Sequence, residues 1–430
     1  MIPTIIISII TIILMIICII KFPKINIKNV SIETFWIVPL ISAILLLVIG
    51  VLPINDAIGG LTDSTNINPI KILVLFFSMT FLSIVLDELG FFDYIANVAL
   101  KHVKHSQMAL FLLLYLITSI LTVFTSNDII ILTFTPFIIF FSKKAKINPI
   151  PYLVSEFVAA NTWSMFLIIG NPTNIYLASS FNVSFFEYMS KMALPTIAAG
   201  LVSLGILLLI FRKSLKEPLN VETNEVHIKN KPLLIINLIC LSLCTLLLSI
   251  SSYLPFEIEM YIISLSFSSI LLIAVIVYSL VKRNGSLILN CFRRLPWTLL
   301  PFVLSMFIIV LSLKQTGVTN ILTDILANGN HVFVYGIVST VMCNFINNIP
   351  ISVLFSEIIE RGIESELYAS IIGTNIGAFL TPIGALAGIM WLSLLKQNKV
   401  KFSFLTFTKY GSMIAIPTLL SALIALSFII

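Results

Sequence analysis

Long apolar stretches alternate with short polar ones along the whole chain. A helix needs about 20 predominantly apolar residues to cross roughly 30 Å of bilayer hydrocarbon. Eight stretches approach or exceed this length without interruption, and each is predicted to be a transmembrane helix. They comprise residues 2–20, 34–52, 72–86, 194–211, 233–250, 260–281, 298–313 and 411–430.

Four further apolar stretches are interrupted by polar or helix-breaking residues. Residues 151–180 and 368–395 are long enough to cross the bilayer but contain Gly, Pro and Asn. Residues 108–141 and 331–359 have a polar break near the middle and are predicted to be re-entrant hairpins. The pattern therefore predicts an all-α polytopic membrane protein with about ten transmembrane helices plus two re-entrant hairpins.

The composition supports this interpretation. Of the 430 residues, 59% are hydrophobic and 10% are charged, whereas a soluble domain carries about 25% charged residues. The mean hydropathy is +1.10. The net charge of +6 is spread over short loops, so it indicates membrane topology and not a nucleic-acid partner.

Several chemistries are excluded by missing motifs. No Gly-Lys dipeptide occurs, which excludes a Walker A loop and ATP hydrolysis through one. The five cysteines lack the spacing of metal ligands or of a disulfide framework, so we predict neither a metal site nor a cofactor. No nucleophile–base pair lies at membrane depth with sensible spacing, so an intramembrane enzyme is disfavoured.

The charged loops predict the orientation of the chain, because cytoplasmic loops are enriched in Lys and Arg. The basic loops carry Lys21, Lys24, Lys28, Lys101, Lys104, Lys143, Lys144, Lys146, Arg212, Lys213, Lys216, Lys282, Arg283, Arg293, Arg294, Lys396, Lys399 and Lys401. The acidic loop of residues 360–366 suits the outer side. This assignment requires hairpin 108–141 to open on the cytoplasmic side and hairpin 331–359 on the outer side. It predicts a multi-pass protein of the cell membrane with both termini outside.

The order of the elements repeats along the chain. Three crossings, a hairpin and two crossings in residues 1–230 are followed by the same order in residues 231–430. Five crossings is an odd number, so the second copy is predicted to be inverted relative to the first. Inverted repeats with paired hairpins and broken helices are typical of secondary transporters, whereas a membrane scaffold would not need them.

Matching residues support the repeat. Asn161 precedes Gly170 by nine positions, and Asn375 precedes Gly384 by the same nine. A helix that unwinds at membrane depth exposes backbone polar groups, which is costly unless they line a polar cavity or bind something. For any one break taken alone, a kink or an interhelical hydrogen bond is the alternative.

Four such breaks are predicted to converge on one site for substrate and ion. Asn side chains supply hydrogen-bond donors and acceptors there, while Gly and Pro permit non-helical backbone. The candidate binding residues are Ser126, Asn127, Asp128, Asn161, Gly170, Asn171, Pro172, Thr173, Asn174, Asn347, Asn348, Thr374, Asn375, Thr381, Pro382 and Gly384.

Carboxylates within membrane segments are functional candidates. Asp128 at the first hairpin tip is a candidate carrier of a proton or cation, and a structural N-cap of the second hairpin arm is an alternative compatible with this role. Glu156 lies near the predicted cytoplasmic end of its helix, so we expect it to be solvated. His331 begins the second hairpin and is expected to be interfacial.

Several stretches carry a family resemblance. They are Leu-Asp-Glu-Leu-Gly-Phe-Phe at residues 86–92, Asn127-Asp128 followed by Thr135-Pro136, Asn-Asn-Ile-Pro at residues 347–350, and Thr-Pro-Ile-Gly-Ala-Leu-Ala at residues 381–387. At these residues the chain resembles the ion transporter superfamily, and most closely the arsenical pump membrane proteins, which are arsenite/antimonite efflux permeases. The resemblance implies a mobile core of hairpins and broken helices and exchange of a trivalent metalloid hydroxide for protons. It also implies a homodimer and, in some members, a soluble arsenite-stimulated ATPase partner.

Residues 170–174 leave a second interpretation open. The stretch Gly-Asn-Pro-Thr-Asn looks more like sodium/proton antiporters and carriers of carboxylates or other anions in the same superfamily. The leading hypothesis is therefore a secondary active transporter for proton-coupled efflux of arsenite and antimonite. The alternative is a sodium- or proton-coupled anion symporter, or a sodium/proton antiporter, with a small inorganic or organic ion as substrate.

Overall fold

The computed structural model describes residues 1–22, 24–27, 30–62, 68–103, 106–219, 228–251, 258–360 and 363–430. Lys28 and Lys104 of the basic loops lie outside the described residues. The elements up to residue 211 are α1 (Ile2–Lys21), β1 (Lys24–Ile27), β2 (Val30–Glu33), α2 (Ile37–Val48), α3 (Ile54–Thr62), α4 (Pro69–Glu88), α5 (Phe91–His102), α6 (Gln107–Phe124), α7 (Asn127–Ala145), α8 (Ile150–Trp163), α9 (Pro172–Ser180) and α10 (Phe185–Phe211). The elements from residue 231 onward are α11 (Lys231–Ile250), α12 (Met260–Val281), α13 (Ser286–Arg294), α14 (Leu299–Gln315), α15 (Val318–Leu326), α16 (His331–Ile346), α17 (Asn348–Ile358), α18 (Glu364–Gly377), α19 (Leu386–Gln397) and α20 (Phe404–Ser427).

The predicted class, an all-α polytopic membrane protein, is confirmed. Eight helical segments of the described chain are long and apolar enough to cross a membrane: α1, α4, α6, α10, α11, α12, the pair α13–α14, and α20. The predicted crossing at residues 34–52 is helical only over α2, whose 12 residues span about 18 Å. Between α1 and α2 the strands β1 and β2 pair antiparallel, which the apolar pattern did not predict.

At each predicted hairpin the chain forms two consecutive helices, α6 and α7 in the first half and α16 and α17 in the second. The break between α6 and α7 falls at Thr125 and Ser126, and the break between α16 and α17 falls at Asn347. The two crossings that were predicted to be interrupted are also broken in the structure. α8 is followed by a 3₁₀ turn at Ile168–Gly170 before α9 begins, and non-helical backbone separates α18 from α19.

Short helices accompany the crossings in both halves of the chain. One of them, α5, begins directly after Gly90. The helices α3, α13 and α15 were not predicted, because nine residues are too few for a clear helical period. A Pro lies inside the last long helix of each half, at Pro195 in α10 and Pro417 in α20.

The packing of helices has the same plan in the two halves. In the first half α6 packs on α8 and α8 on α10, and in the second half α16 packs on α18 and α18 on α20. Between the halves, α2 packs on α14 as α4 packs on α12, and α7 packs on α19 as α17 packs on α9. The helices α10 and α20 pack on each other. The hairpins and the broken crossings are therefore neighbours at the junction of the halves.

Candidate functional site

The first hairpin tip joins the first broken crossing through amide groups. Asn127 Nδ2 donates to Asn161 Oδ1 across 3.1 Å, and Asn161 Nδ2 donates to the Phe157 carbonyl within α8. Ser126 precedes α7 as its N-cap residue, but its hydroxyl makes no capping hydrogen bond. Ser126 Oγ and Asn127 Oδ1 are buried and have no hydrogen-bond partner among the described residues. Buried polar atoms of this kind are costly unless a ligand or water satisfies them.

Asp128 lies in the first turn of α7 and is partly exposed. The N-cap position belongs to Ser126, so the prediction that Asp128 caps this arm is wrong. No described residue forms a hydrogen bond or ion pair with its carboxylate. A negative charge in the first turn is still favoured by the positive end of the helix dipole. This carboxylate is thus held at the hairpin tip without a fixed partner.

Asn375 on α18 is the centre of the hydrogen bonds that join the two halves. Its Oδ1 accepts from Asn171 Nδ2 at 2.8 Å and from Ser164 Oγ at 3.0 Å. Its Nδ2 donates to Asn174 Oδ1 at 2.7 Å and to the Ile371 carbonyl of its own helix at 2.8 Å. Asn375 is completely buried, and all four hydrogen-bonding positions of its amide are used.

Side chains of the first broken crossing stabilise the non-helical backbone between α8 and α9. Asn171 is the N-cap of α9 and accepts from Thr173 N at 3.1 Å, with Pro172 at the first helical position. Asn174 Nδ2 donates to the Ser164 carbonyl at 2.7 Å. A Cβ added at Gly170 would overlap that same carbonyl, so glycine is required by the close approach of the 3₁₀ turn to α8.

The second hairpin tip contacts the second broken crossing. Asn347 has φ +78° and ψ +154°, a region that only glycine adopts without strain. Its Nδ2 donates to the Ile383 carbonyl at 3.2 Å, and Asn348 N donates to the Gly384 carbonyl at 3.0 Å. Strained backbone clusters at functional sites. Here the strained conformation of Asn347 points its side-chain amide and the backbone N–H of Asn348 at the second broken crossing.

Asn344 fixes the beginning of the second break, although the sequence did not identify Asn344 as a site residue. Its Oδ1 accepts from Thr381 Oγ1 at 2.7 Å and from Thr381 N at 3.0 Å. Its Nδ2 donates to the Gly377 carbonyl. Pro382 is buried in the same break. Thr374, although predicted as a site residue, donates only to the Ile371 carbonyl of its own helix. Ser164 was also missed, although it stands in the Asn-Thr-Trp-Ser stretch of α8.

Glu156 overturns another expectation. Instead of being solvated at a helix end, it is 2% exposed, and Thr135 Oγ1 lies 3.1 Å from each carboxylate oxygen. The expectation is wrong because α7 packs over this face of α8, and Trp391 of α19 packs on the adjacent Phe157 with ring centroids 5.2 Å apart. His331 also has a buried partner, since its Nδ1 lies 2.6 Å from Glu366 Oε1.

The amide network itself is uncharged. It consists of amide and hydroxyl side chains and backbone groups, and no Lys or Arg of the described chain bonds to them. Among the described residues no three His, Cys, Asp or Glu side chains are grouped as metal ligands. Such a network can bind a small polar solute by exchanging interhelical hydrogen bonds for bonds to the solute.

Comparisons with known proteins agree with the sequence resemblance. Residues 2–373 match the family model described as "Citrate transporter". The chain is 28% identical over 375 residues to the arsenical pump membrane protein of Yersinia enterocolitica, which covers 82% of this chain and 85% of that relative. It is 25% identical over 388 residues to the putative arsenical pump membrane protein of Bacillus subtilis strain 168, covering 81% and 85%. The solved structure of the Alcanivorax borkumensis YdaH transporter shares the fold, with a TM-score of 0.56 at 13% identity over 99% of this chain and 98% of that one.

Proposed function

The chain belongs to the citrate transporter family, whose members are membrane transporters and not enzymes, and from this premise we propose that it exports arsenite and antimonite in exchange for protons. The arsenical pump relatives support the substrate. The uncharged network around Asn375 is the observation that carries the proposal. At neutral pH arsenite is an uncharged trihydroxide that both donates and accepts hydrogen bonds, whereas a carboxylate would call for a cationic partner.

In the proposed mechanism, the substrate hydroxyls replace amide–amide bonds at the junction of the two halves. Ser126 Oγ and Asn127 Oδ1, which have no partner in the described chain, accept hydrogen bonds from the substrate. Asp128 is the coupling group. Its proton leaves to the cytoplasm as substrate binds from that side, and a proton from outside reoccupies the carboxylate as substrate is released outward. Proton entry thereby drives metalloid exit.

We further propose that residues 1–230 and 231–430 are inverted repeats in the cell membrane, with both termini outside. The matched packing of α6–α8 with α16–α18 supports the repeat. The hairpins and broken crossings move as a core against the remaining helices. Epitope tags at both ends, probed with antibody on intact and permeabilised cells, test the topology. Staining of either tag only after permeabilisation would contradict it.

A second candidate function is favoured by a different observation. α9 begins at Asn171 in the centre of the site, and α7 and α17 begin at the two hairpin tips. Helix N-termini attract anions, which suits a carboxylate or other anion taken up with sodium or protons. The description of the family model as a citrate transporter agrees with this alternative.

Arsenite accumulation in an efflux-deficient bacterial host tests the proposal. We expect cells that express the protein to accumulate less arsenite than cells with empty vector, and we expect a protonophore to remove the difference. Equal accumulation, with membrane insertion verified, would refute arsenite efflux. Sodium-dependent citrate uptake by the same cells would then favour the second candidate.

The partner proteins implied by the resemblance are also proposals. A homodimer is tested by the mass of the purified protein in detergent, measured by light scattering. Use of a soluble arsenite-stimulated ATPase is tested by expressing the chain with and without such a subunit in the same host. Efflux that is fully abolished by a protonophore in the absence of the subunit would show that the ATPase is not required.

A further inference from the structure

Glu156 is a buried carboxylate for which the proposed mechanism has no role. It lies on α8, about one and a half turns before Asn161, and is 2% exposed. Thr135 Oγ1 on α7 is 3.1 Å from both of its oxygens. A hydroxyl carries one proton, so it can satisfy only one carboxylate oxygen at a time. Most of the hydrogen-bonding capacity of a charged Glu156 would be unmet.

No cation compensates Glu156 in the described chain. The elements around it are α6, α7, α10 and α18, with α19 and α20 in contact through Phe157. The lysines on these elements that face solvent are Lys143, Lys144, Lys396 and Lys409. The remaining charged groups there are Asp128 at the other end of α7, Glu187 bonded to Ser184, Lys191 paired with Glu364, and Glu366 paired with His331. The tyrosines have other neighbours: Tyr115 bonds Gly200, Tyr152 bonds Gln107, Tyr188 bonds Met165, Tyr368 packs on Tyr188, and Tyr410 packs on Phe402.

An ionised carboxylate in this environment would be strongly disfavoured. Removing a carboxylate from water without a counter-charge costs several kcal/mol even after the protein relaxes. A buried group avoids this cost by holding its proton. Glu156 is therefore a neutral acid as long as α7 covers it.

The position of Glu156 links its proton to movement of the hairpin. Two side-chain hydrogen bonds join α7 to α8: Asn127 to Asn161 at the tip, and Thr135 to Glu156 farther along. The indole N–H of Trp391 on α19 is buried beside Glu156 and within reach of its carboxyl group. It is a donor that a charged Glu156 could use. The equivalent position in α18, five residues before Asn375, is Ser370, whose hydroxyl bonds its own helix.

We propose that Glu156 is a second proton-carrying residue of the transport cycle, controlled by the packing of α7 on α8. When α7 withdraws and water enters, the O–H bond of Glu156 breaks, the proton passes to water, and the carboxylate is solvated. When α7 returns, Glu156 takes a proton from water before it is buried. Only the first half carries a titratable group at this position, because the second half has Ser370 there. Proton release therefore accompanies movement of the first hairpin alone. The inference deepens the proposed proton exchange and rests on it.

Infrared difference spectroscopy of the full chain in lipid tests the protonation directly, whatever the substrate. An alkaline pH step is expected to remove the C=O stretch of a protonated carboxyl. This signal should be absent in Glu156→Gln and shifted in Thr135→Val, which loses the hydroxyl donor. It should be unchanged in Glu366→Gln, the matched control, because Glu366 is equally buried but paired with His331. An unaltered signal in Glu156→Gln, or an unshifted one in Thr135→Val, overturns the proposal.

A transport measurement tests the coupling. In inverted membrane vesicles, Glu156→Gln should lose arsenite transport driven by a proton gradient and retain exchange of arsenite for labelled arsenite. Proton-driven transport at the wild-type rate would overturn the role of Glu156. If wild-type vesicles do not transport arsenite, the proposal that arsenite is the substrate is wrong. The infrared result still decides whether Glu156 holds a proton.

Discussion

Replacing Asn375 with leucine should weaken the junction between the two halves. Leucine has a similar shape but offers no hydrogen bond, so Asn375→Leu removes three bonds to side chains of the first half. Ser164 Oγ keeps the Asn161 carbonyl as its acceptor, whereas Asn171 Nδ2 loses the Asn375 acceptor. Hydrogen bonds between membrane helices are worth about 0.6 kcal/mol on average, and a stranded buried polar atom costs about 1–3 kcal/mol. The three lost bonds and the stranded Asn171 amide together predict a loss of stability of about 3–5 kcal/mol.

The assay is unfolding of the purified protein in mixed micelles by added denaturing detergent, followed through tryptophan fluorescence. Thr374→Val is the matched control, because Thr374 is adjacent, equally buried and bonded only to Ile371 of its own helix. We expect that control to lose no more than about 1 kcal/mol. If Asn375→Leu unfolds at the same detergent concentration as Thr374→Val, Asn375 does not link the two halves.

Three further predictions concern the packing, the strained tip and the coupling group. Gly373→Ala should destabilise the protein by about 3 kcal/mol or prevent folding, because the added Cβ would overlap Ser339 Oγ. The control Gly205→Ala should be neutral or slightly stabilising, because nothing lies near its Cβ. Equal unfolding midpoints for the two variants would contradict the close packing of Gly373 against Ser339. Asn347→Ala should be less stable than Asn347→Gly by about 1 kcal/mol, because only glycine tolerates φ +78° there without strain, and a reversed order in detergent unfolding would show that the strain is absent. Asp128→Asn should abolish proton-driven transport in vesicles but leave substrate exchange intact, and proton-driven transport at the normal rate would remove Asp128 from the mechanism.

The sequence predicted the helices and their breaks because the bilayer imposes a simple rule on backbone polar groups. Apolar length identified most crossings, and Gly, Pro and Asn identified the four interruptions. The equal spacing of Asn161–Gly170 and Asn375–Gly384 singled out the two asparagines that hold the network. Helices such as α3 and α15 were missed because each has only nine residues.

Side-chain partners could not be predicted, since they depend on tertiary packing. Glu156 looked like a solvated helix end because nothing in the local sequence indicates that α7 and α19 cover it. An N-cap role for Asp128 was the alternative to a carrier role, but α7 begins at Asn127, so its N-cap is Ser126, two residues before Asp128. Asn344 was overlooked because it lies on α16, whereas the break that it stabilises begins after α18. Its partner Thr381 is 37 residues away in the sequence.

Transport by the purified protein in proteoliposomes distinguishes metalloid efflux from anion uptake. Liposomes with an acidic interior are placed in arsenite without sodium, and parallel samples receive citrate with and without a sodium gradient. We expect arsenite uptake that a protonophore abolishes and that citrate does not inhibit. Sodium-dependent citrate uptake without arsenite uptake would contradict this expectation.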